Sequence, residues 1–329
     1  MERRGIPNPA AGQKPRITLV IPTRNEEADI EGTLAALLKI PYQSLEILVI
    51  DDSTDRTPEI VHRYAPQGVR LLKGPGKGRC EARNLGIRQA QGEILILLNA
   101  DVLLEPDFAD RILPHYQKGA DFLLVQARVA NIEFPFPRYI QALHAQIYPD
   151  LNPLLWTEGF SCRRQAALQA GGFPEGFPIP LLGGEDWIFT KRLLSKGCVK
   201  AVDPTVVVRH IVPHDLRGFW KQQVDRGRAD PLTKYFVLGR SIPRLLGEAC
   251  VRSGFAAIRI GLIGPALLKA LRLTRHSGRG LKDLLPFAGA SSLEWIGYCA
   301  GVWRSLFSLM KGWVGRRFPA RWESGKESV

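Results

Sequence analysis

What this 329-residue sequence lacks narrows it quickly. Its five cysteines (Cys80, Cys162, Cys198, Cys250 and Cys299) are scattered, odd in number and form no CxxC pair. That excludes a disulfide framework or a zinc knuckle and fits a reducing compartment. The opening residues, MERRGIPNPAAGQKP, contain no apolar stretch of the secretory-signal kind, so residues 1–14 are expected to form a loose, flexible arm. No internal repeat occurs, and the absence of GxxxxGK[ST] removes a Walker A phosphate loop. RNP-type aromatics, zinc spacings and a basic zipper are missing as well, so nucleic acid is not an expected partner. Uninterrupted apolar runs of membrane length are also lacking. Residues 255–273 and 284–303 come near, but Arg259 and Pro265 break the first and Pro286 and Glu294 the second. A spanning helix needs about 20 apolar residues, and a charge at its centre costs about 2.5–3.5 kcal/mol.

At 45% apolar and 23% charged, the chain can bury one large core plus something smaller, and general disorder is excluded. Its charge is uneven. From Arg240 onward there are 15 Lys/Arg against five Asp/Glu, a net +10 of the chain's +13. A basic and apolar tail suits an anionic membrane surface, with Lys269, Arg272, Arg275, Arg279 and Lys282 facing headgroups on the cytoplasmic side. Interfacial or re-entrant helices, a two-span hairpin and a soluble helical subdomain are the three forms such a tail can take.

The first 130 residues alternate strands with helices of 8–13 residues, the pattern of a mainly parallel sheet with right-handed crossovers. Strands are expected at 17–22, 46–50, 69–72, 93–98 and 122–127. Runs such as ILVI and ILILL show no alternation, as strands covered on both faces require. NIEFPFPRYI and YPDLNPLLW read as Pro/aromatic-rich loops. Short helices follow at 163–170 and 186–195, and a short strand at 206–208 leads to His210.

Acidic and polar groups stand where the strands end, the place where an α/β sheet builds a site for a phosphorylated, metal-bound ligand. Pro22-Thr23-Arg24-Asn25-Glu26 follows the first strand and suits a nucleoside. Asp51 and Asp52 follow the second; a carboxylate there can accept from a base or ribose, although DDSTD also reads as a turn and helix cap. Gly74-Pro75-Gly76-Lys77-Gly78 opens a helix carrying Arg83 and Asn84, a plausible pyrophosphate contact. Asn99-Ala100-Asp101 follows the fourth strand, and a carboxylate there can hold Mg²⁺ or Mn²⁺. Glu185-Asp186 opens a helix after two glycines, a position for a general base or simply for a cap. His210 and His214 come after the last strand, either one able to complete a metal site.

Taken in order, PTRNE, VIDDSTDRT, ARNLG, LNAD, GGFPE and GGEDW resemble the family 2 glycosyltransferases of the GT-A fold over roughly residues 15–235. The resemblance implies an α/β, Rossmann-like, mainly parallel sheet flanked by helices, with residues 236–329 as a C-terminal helical tail at the cytoplasmic face of the membrane. It implies an inverting, metal-dependent transfer from a nucleotide-diphosphate sugar, UDP favoured, to a hydroxyl or phosphate acceptor, lipid-linked acceptors included. Pro22, Thr23, Glu26 and Asp52 would line the nucleoside pocket, with Lys77, Arg83 and Asn99 on the rest of the nucleotide-sugar. Asp101 would be the main metal ligand, with His210 as a further one. Asp186 would be the base and Glu185 its neighbour at the acceptor. One departure is Asn99, which stands where the family's DxD motif has its first acid. An impaired domain acting as a nucleotide-sugar or membrane scaffold is therefore the alternative.

Overall fold

The computed structural model describes residues 15–147, 158–262 and 264–319, which divide into two compact units. The expected arm at 1–14 and the YPDLNPLLW segment lie outside the described residues. The first unit comprises Met1–Arg128, Asp150–Gly176 and Glu185–Ile211, and the second Val129–Pro149, Phe177–Gly184 and Val212–Val329.

Among the described residues eight strands form one sheet: β1 (Ile17–Thr23), β2 (Leu45–Asp51), β3 (Val69–Lys73), β4 (Ile94–Leu97), β5 (Val102–Leu104), β6 (Phe122–Val129), β7 (Phe160–Arg163) and β8 (Lys200–His210), in the order β3-β2-β1-β4-β7-β6-β8-β5. β3, β2, β1 and β4 are parallel, as the alternating sequence predicts. The other half is mixed, because β7 runs antiparallel to both β4 and β6, and β5 antiparallel to β8.

The connections carry helices α1 (Ile30–Leu37), α2 (Thr57–His62), α3 (Arg79–Gln89), α4 (Phe108–Gln117), α5 (Pro135–Ile147), α6 (Arg164–Gln169) and α7 (Glu185–Ser195). Ile17, Leu19, Ile21, Val49 and Ile96 pack beneath α1 and α4 in the main core, while Leu48, Ile50 and Ala82 of α3 close the other face. This explains the lack of alternation in β1, β2 and β4. Gly86 of ARNLG is a packing residue: a Cβ there would lie 2.2 Å from Val20 Cγ1, so α3 sits directly on β1.

The expectation of a loop at NIEFPFPRYI is corrected, since α5 begins at Pro135. Both Pro135 and Pro137 fall in its first turn, where no backbone N–H is needed for the helical ladder.

In the second unit, α5 packs on α10 (Gly264–Thr274) and α11 (Leu284–Val314) and through Phe136 on Phe219 of α8 (Leu216–Phe236), while α9 (Ile242–Gly261) packs on α8, α10 and α11. Tyr139, Phe219, Leu273 and Phe287 form its core. A buried pair, Arg138 with Asp283 at 2.9 Å, ties α5 to the turn before α11. α8 and α11 touch backbone to backbone. A Cβ on Gly301 would stand 2.0 Å from the Val224 carbonyl oxygen, and one on Gly227 2.0 Å from that of Tyr298.

Candidate active site

Three clusters gather at the strand ends of the first unit. The first joins β1 to β2. Their register pairs Thr23 with Asp51, and the Thr23 hydroxyl donates to Asp51 Oδ1 at 2.7 Å. Ser53 also donates to that oxygen, so Asp51 organises the loop and is not open to a ligand. The PTRNE turn is knitted to DDSTDRT: Asn25, at φ +60°, accepts from the Thr54 N–H, and the Glu26 N–H donates to Thr57 Oγ1. Pro22 is half-buried in the same turn region. Asp52 points toward the glycine turn, where its Oδ1 accepts from the Gly76 N–H at 2.7 Å. Lys77 is exposed at the tip of this turn, two residues before α3 begins.

The second cluster centres on Arg83, which is 1% exposed. Its guanidinium donates from Nη1 to Glu185 Oε1 at 3.1 Å and from Nη2 to Asn99 Oδ1 at 2.9 Å, and it lies over the Phe173 ring. Arg79, one turn earlier on α3, stands 3.5 Å from the same Glu185 oxygen. Burial opposes the Glu185 charge, but the two arginines outweigh it and hold the carboxyl below the usual range. The adjacent Asp186 behaves oppositely. Burial raises it to about 7, the Glu185 charge adds to the rise, and the Trp187 N–H, 2.8 Å from Oδ1, restrains it. Two neighbouring carboxyls are thus separated in pKa, the arrangement that assigns one to remain ionised and the other to exchange protons near neutrality. Glu185 Oε2 is buried with no hydrogen-bond partner.

The third cluster follows from the β5–β8 pairing. Its register sets Val102 opposite His210, which brings Asp101 beside the imidazole. His210 Nε2 is 3.1 Å from Asp101 Oδ2, and Nδ1 is 3.6 Å from Glu158 Oε1. Burial would lower the His210 pKa, but Asp101 and then Glu158 raise it to about 9. Asp101 Oδ1 is buried and unpartnered. Glu158 also adds to the rise at Asp186, so the second and third clusters share one electrostatic environment. His214 rests on Phe134 in the second unit instead.

GGFPE and ARNLG are locked to each other. Asn84 accepts from the Phe173 N–H and donates to the Phe173 carbonyl and to Glu175. Gly172 sits at φ +68°, and a Cβ there would lie 2.3 Å from Asn84 Oδ1, so only glycine fits. These motif residues hold the scaffold that presents Arg83.

Arg79 and Glu158 did not figure among the residues expected from sequence. Arg79 has a legible signal, because it precedes Arg83 by four residues on one helical face. Glu158 has none: it precedes a four-residue strand and meets His210 only through the fold.

Residues 18–170 match the model of glycosyl transferase family 2. Poly-beta-1,6-N-acetyl-D-glucosamine synthase of Staphylococcus aureus (strain COL) is 23% identical over 221 residues, covering 63% of this chain and 53% of that protein. The probable glycosyltransferase YdaM of Bacillus subtilis (strain 168) is 34% identical over 96 residues, 26% of this chain and 23% of that one. Among solved structures, mannosyltransferase PcManGT from Pyrobaculum calidifontis, in complex with GDP-Man and Mn²⁺, superposes with a TM-score of 0.51 at 20% identity, covering 94% of this chain and 78% of that one. Residues 1–349 of S. aureus TarS in complex with UDP-GlcNAc give 0.50 at 18% identity, covering 88% and 91%. Residues 18–170 therefore form a family 2 glycosyltransferase domain, and the chain has the GT-A fold of these structures. It spans about half the length of the S. aureus synthase it matches.

Proposed function

We propose that this chain transfers a sugar from a nucleotide-diphosphate donor to an acceptor hydroxyl, with inversion at the anomeric carbon and Asp186 as base. The observation that carries this reading is the opposite behaviour of Glu185, held ionised, and Asp186, raised to about 7. A carboxylate poised near neutrality suits removal of a hydroxyl proton. A phosphate acceptor would need no such base, so a hydroxyl is favoured, on a lipid-linked molecule or a soluble one.

In the proposed step the acceptor O–H proton passes to Asp186 as the acceptor oxygen bonds to the anomeric carbon. The bond from that carbon to the diphosphate oxygen breaks, and its electron pair leaves with the nucleoside diphosphate. Pro22, Thr23, Glu26 and Asp52 would line the nucleoside side, and Lys77 would stand toward the diphosphate. Arg83 holds Glu185 and Asn99, and through them the geometry around Asp186.

Asp101 and His210 are the residues that fit Mg²⁺ or Mn²⁺, with Glu158 behind the imidazole. A buried carboxylate oxygen without a partner supports this, and the same two carboxylates that raise His210 to about 9 would match a dication in charge once the cation had displaced the imidazole proton. Among the described residues no group of three or more His, Cys, Asp or Glu could by itself hold a metal ion, so donor phosphates would supply the remaining ligands. When bound, the cation would neutralise charge on the departing diphosphate. PcManGT with GDP-Man and Mn²⁺ and TarS with UDP-GlcNAc support a nucleotide-sugar donor, with UDP kept as the first choice.

Calorimetry of the full chain with UDP-, GDP- and dTDP-sugars, with and without Mn²⁺, tests the reading. One donor should bind in a metal-dependent way, and Asp101→Ala should remove that dependence. A folded chain that binds no donor would overturn the proposal and make the scaffold role the better account.

A further inference from the structure

In the second unit, α9 is apolar on two faces and only one of them is covered. Ile242, Leu245, Ala249 and Ala256 are buried. Val251, Phe255 and Ile258, with Leu262 just beyond the helix, follow one another at steps of four, three and four and are 57–67% exposed. Those steps place them along one stripe. α10 repeats the arrangement, with Ala270 and Leu273 buried while Leu268 and Leu271 are exposed. An exposed stripe of large apolar side chains marks an interaction surface. No single helix among the described residues is long and apolar enough to cross a membrane, and α9 and α10 are bent by 82° at their break.

Cations accompany the stripe. Arg259 lies flat on Trp295, 4.3 Å from the ring centre. With Lys269 and Arg272 it lines a cavity of about 330 Å³ that includes Ser292 and Trp295 and has no acidic residue in its wall. Lys269 is already held by Glu294 at 2.6 Å. Among the described residues neither Arg259 nor Arg272 has a carboxylate within ion-pair distance, so these two are the open donors. Arg275, Arg279 and Lys282 are exposed further along the chain.

We propose that α9 and α10 dock on an anionic bilayer surface, the apolar stripe entering the acyl boundary and a lipid phosphate lying between Arg259 and Arg272. Apolar side chains beside unpaired cations are what such a surface covers and neutralises together. A second copy of this face would set the same cations against each other. A nucleic acid strand would leave Val251, Phe255, Ile258 and Leu262 in water.

The test is sedimentation of the full chain with vesicles of phosphatidylcholine alone and of an equimolar mixture with phosphatidylglycerol. Wild type should associate with the mixed vesicles and much less with the neutral ones. Phe255→Glu with Ile258→Glu changes only exposed positions and should weaken association about tenfold or more with an unchanged thermal melt. Arg259→Gln with Arg272→Gln should cost several-fold and remove the preference for phosphatidylglycerol. Both variants should keep wild-type calorimetric binding of the nucleotide-sugar donor, which separates this proposal from that of the active site. Absence of wild-type association, or equal association of the Phe255/Ile258 variant, would overturn it. So would self-association in place of vesicle binding. Inorganic phosphate bound by wild type and not by the arginine variant, with vesicles ignored, would make the cavity a free-phosphate site and equally overturn bilayer docking.

Discussion

Each unit contains an arginine buried against a carboxylate, and the two pairs differ in how completely they are satisfied. In the second unit, Arg138 donates from Nε and Nη2 to both oxygens of Asp283, at 2.9–3.3 Å, and from Nη1 to the Ile132 and Glu133 carbonyls. Nothing on that carboxylate is left over. In the first unit, Arg83 and Arg79 both address Glu185 Oε1, while Oε2 stays buried and unpartnered beside an Asp186 raised to about 7. A pair that serves folding closes on itself. A pair that serves a site keeps an unmet polar atom, and its charge is imposed on a neighbour.

The largest expected effect tests the open pair. Asp186→Asn should lower transfer by about 10³-fold, near 4 kcal/mol of barrier, because a base is removed with little change of shape. Donor binding, followed by calorimetry, should stay within a factor of about two or three of wild type, a window set by the small steric change. Transfer near the wild-type rate would return Asp186 to the role of a helix cap. Next come the arginines. Arg83→Ala and Arg138→Ala should each cost about 3 kcal/mol in urea unfolding, since each leaves a carboxylate buried without its main partner. The comparison sharpens with paired replacements. Arg138→Met with Asp283→Leu should recover most of that stability and keep activity, whereas Arg83→Met with Glu185→Leu should recover stability and lose transfer. If the Arg83/Glu185 replacement transfers normally, the distinction between the pairs fails.

How far the sequence discloses these two pairs follows from the distances along the chain that they bridge. β1, β2, β3 and β4 announce themselves through short apolar runs separated by helical periods. β5 has three residues and β7 four, too few for any period, so these two are not legible, whereas β6 is expected at 122–127 and β8 only as a short piece at 206–208 of its Lys200–His210 span. α5 is masked by Pro135 and Pro137, whose position in a first turn is known only once the helix is seen. At the site, Asp101, Glu185, Asp186 and His210 stand out as polar residues at element ends, and the structure brings Asp101 and His210 together through one strand register. That Arg83 would be buried against Glu185, 102 residues away, is a tertiary fact with no local trace. The same holds for Arg138 and Asp283, separated by 145 residues.

A smaller effect concerns stability. The Asp186 carboxyl has an ordinary value of 3.8 and is raised to about 7 in the fold, so the folded chain binds more protons than the unfolded one between those values. Stability should therefore fall as pH rises from about 4 to about 7 and level off above, the direction that linkage requires for a raised carboxyl. Asp186→Asn removes this penalty and should be more stable than wild type at pH 8 by about 2 kcal/mol, roughly half of what the full shift converts to. Equal stability of the two proteins at pH 8 would mean that Asp186 is not held in an unfavourable charged state.

The finest test isolates what the open pair does to its neighbour. Burial is the first cause of the raised Asp186 value and the Glu185 charge the second, so neutralising Glu185 should lower it only in part. In wild type the single-turnover rate should rise with pH through about 7 and then plateau, because the base acts deprotonated. Glu185→Gln should move that midpoint to lower pH by about half to one unit, since it removes a like charge and leaves the Arg83 charge acting on Asp186. The plateau rate reports a different property, the positioning of the acceptor, and is free to change without touching the argument. A midpoint that stays at wild type, or moves upward, would show that the Glu185 charge is not felt at Asp186, and the unmet oxygen would then need another explanation. The corresponding change in the closed pair, Asp283→Asn, should leave the midpoint where it is, because that carboxylate spends both oxygens on Arg138.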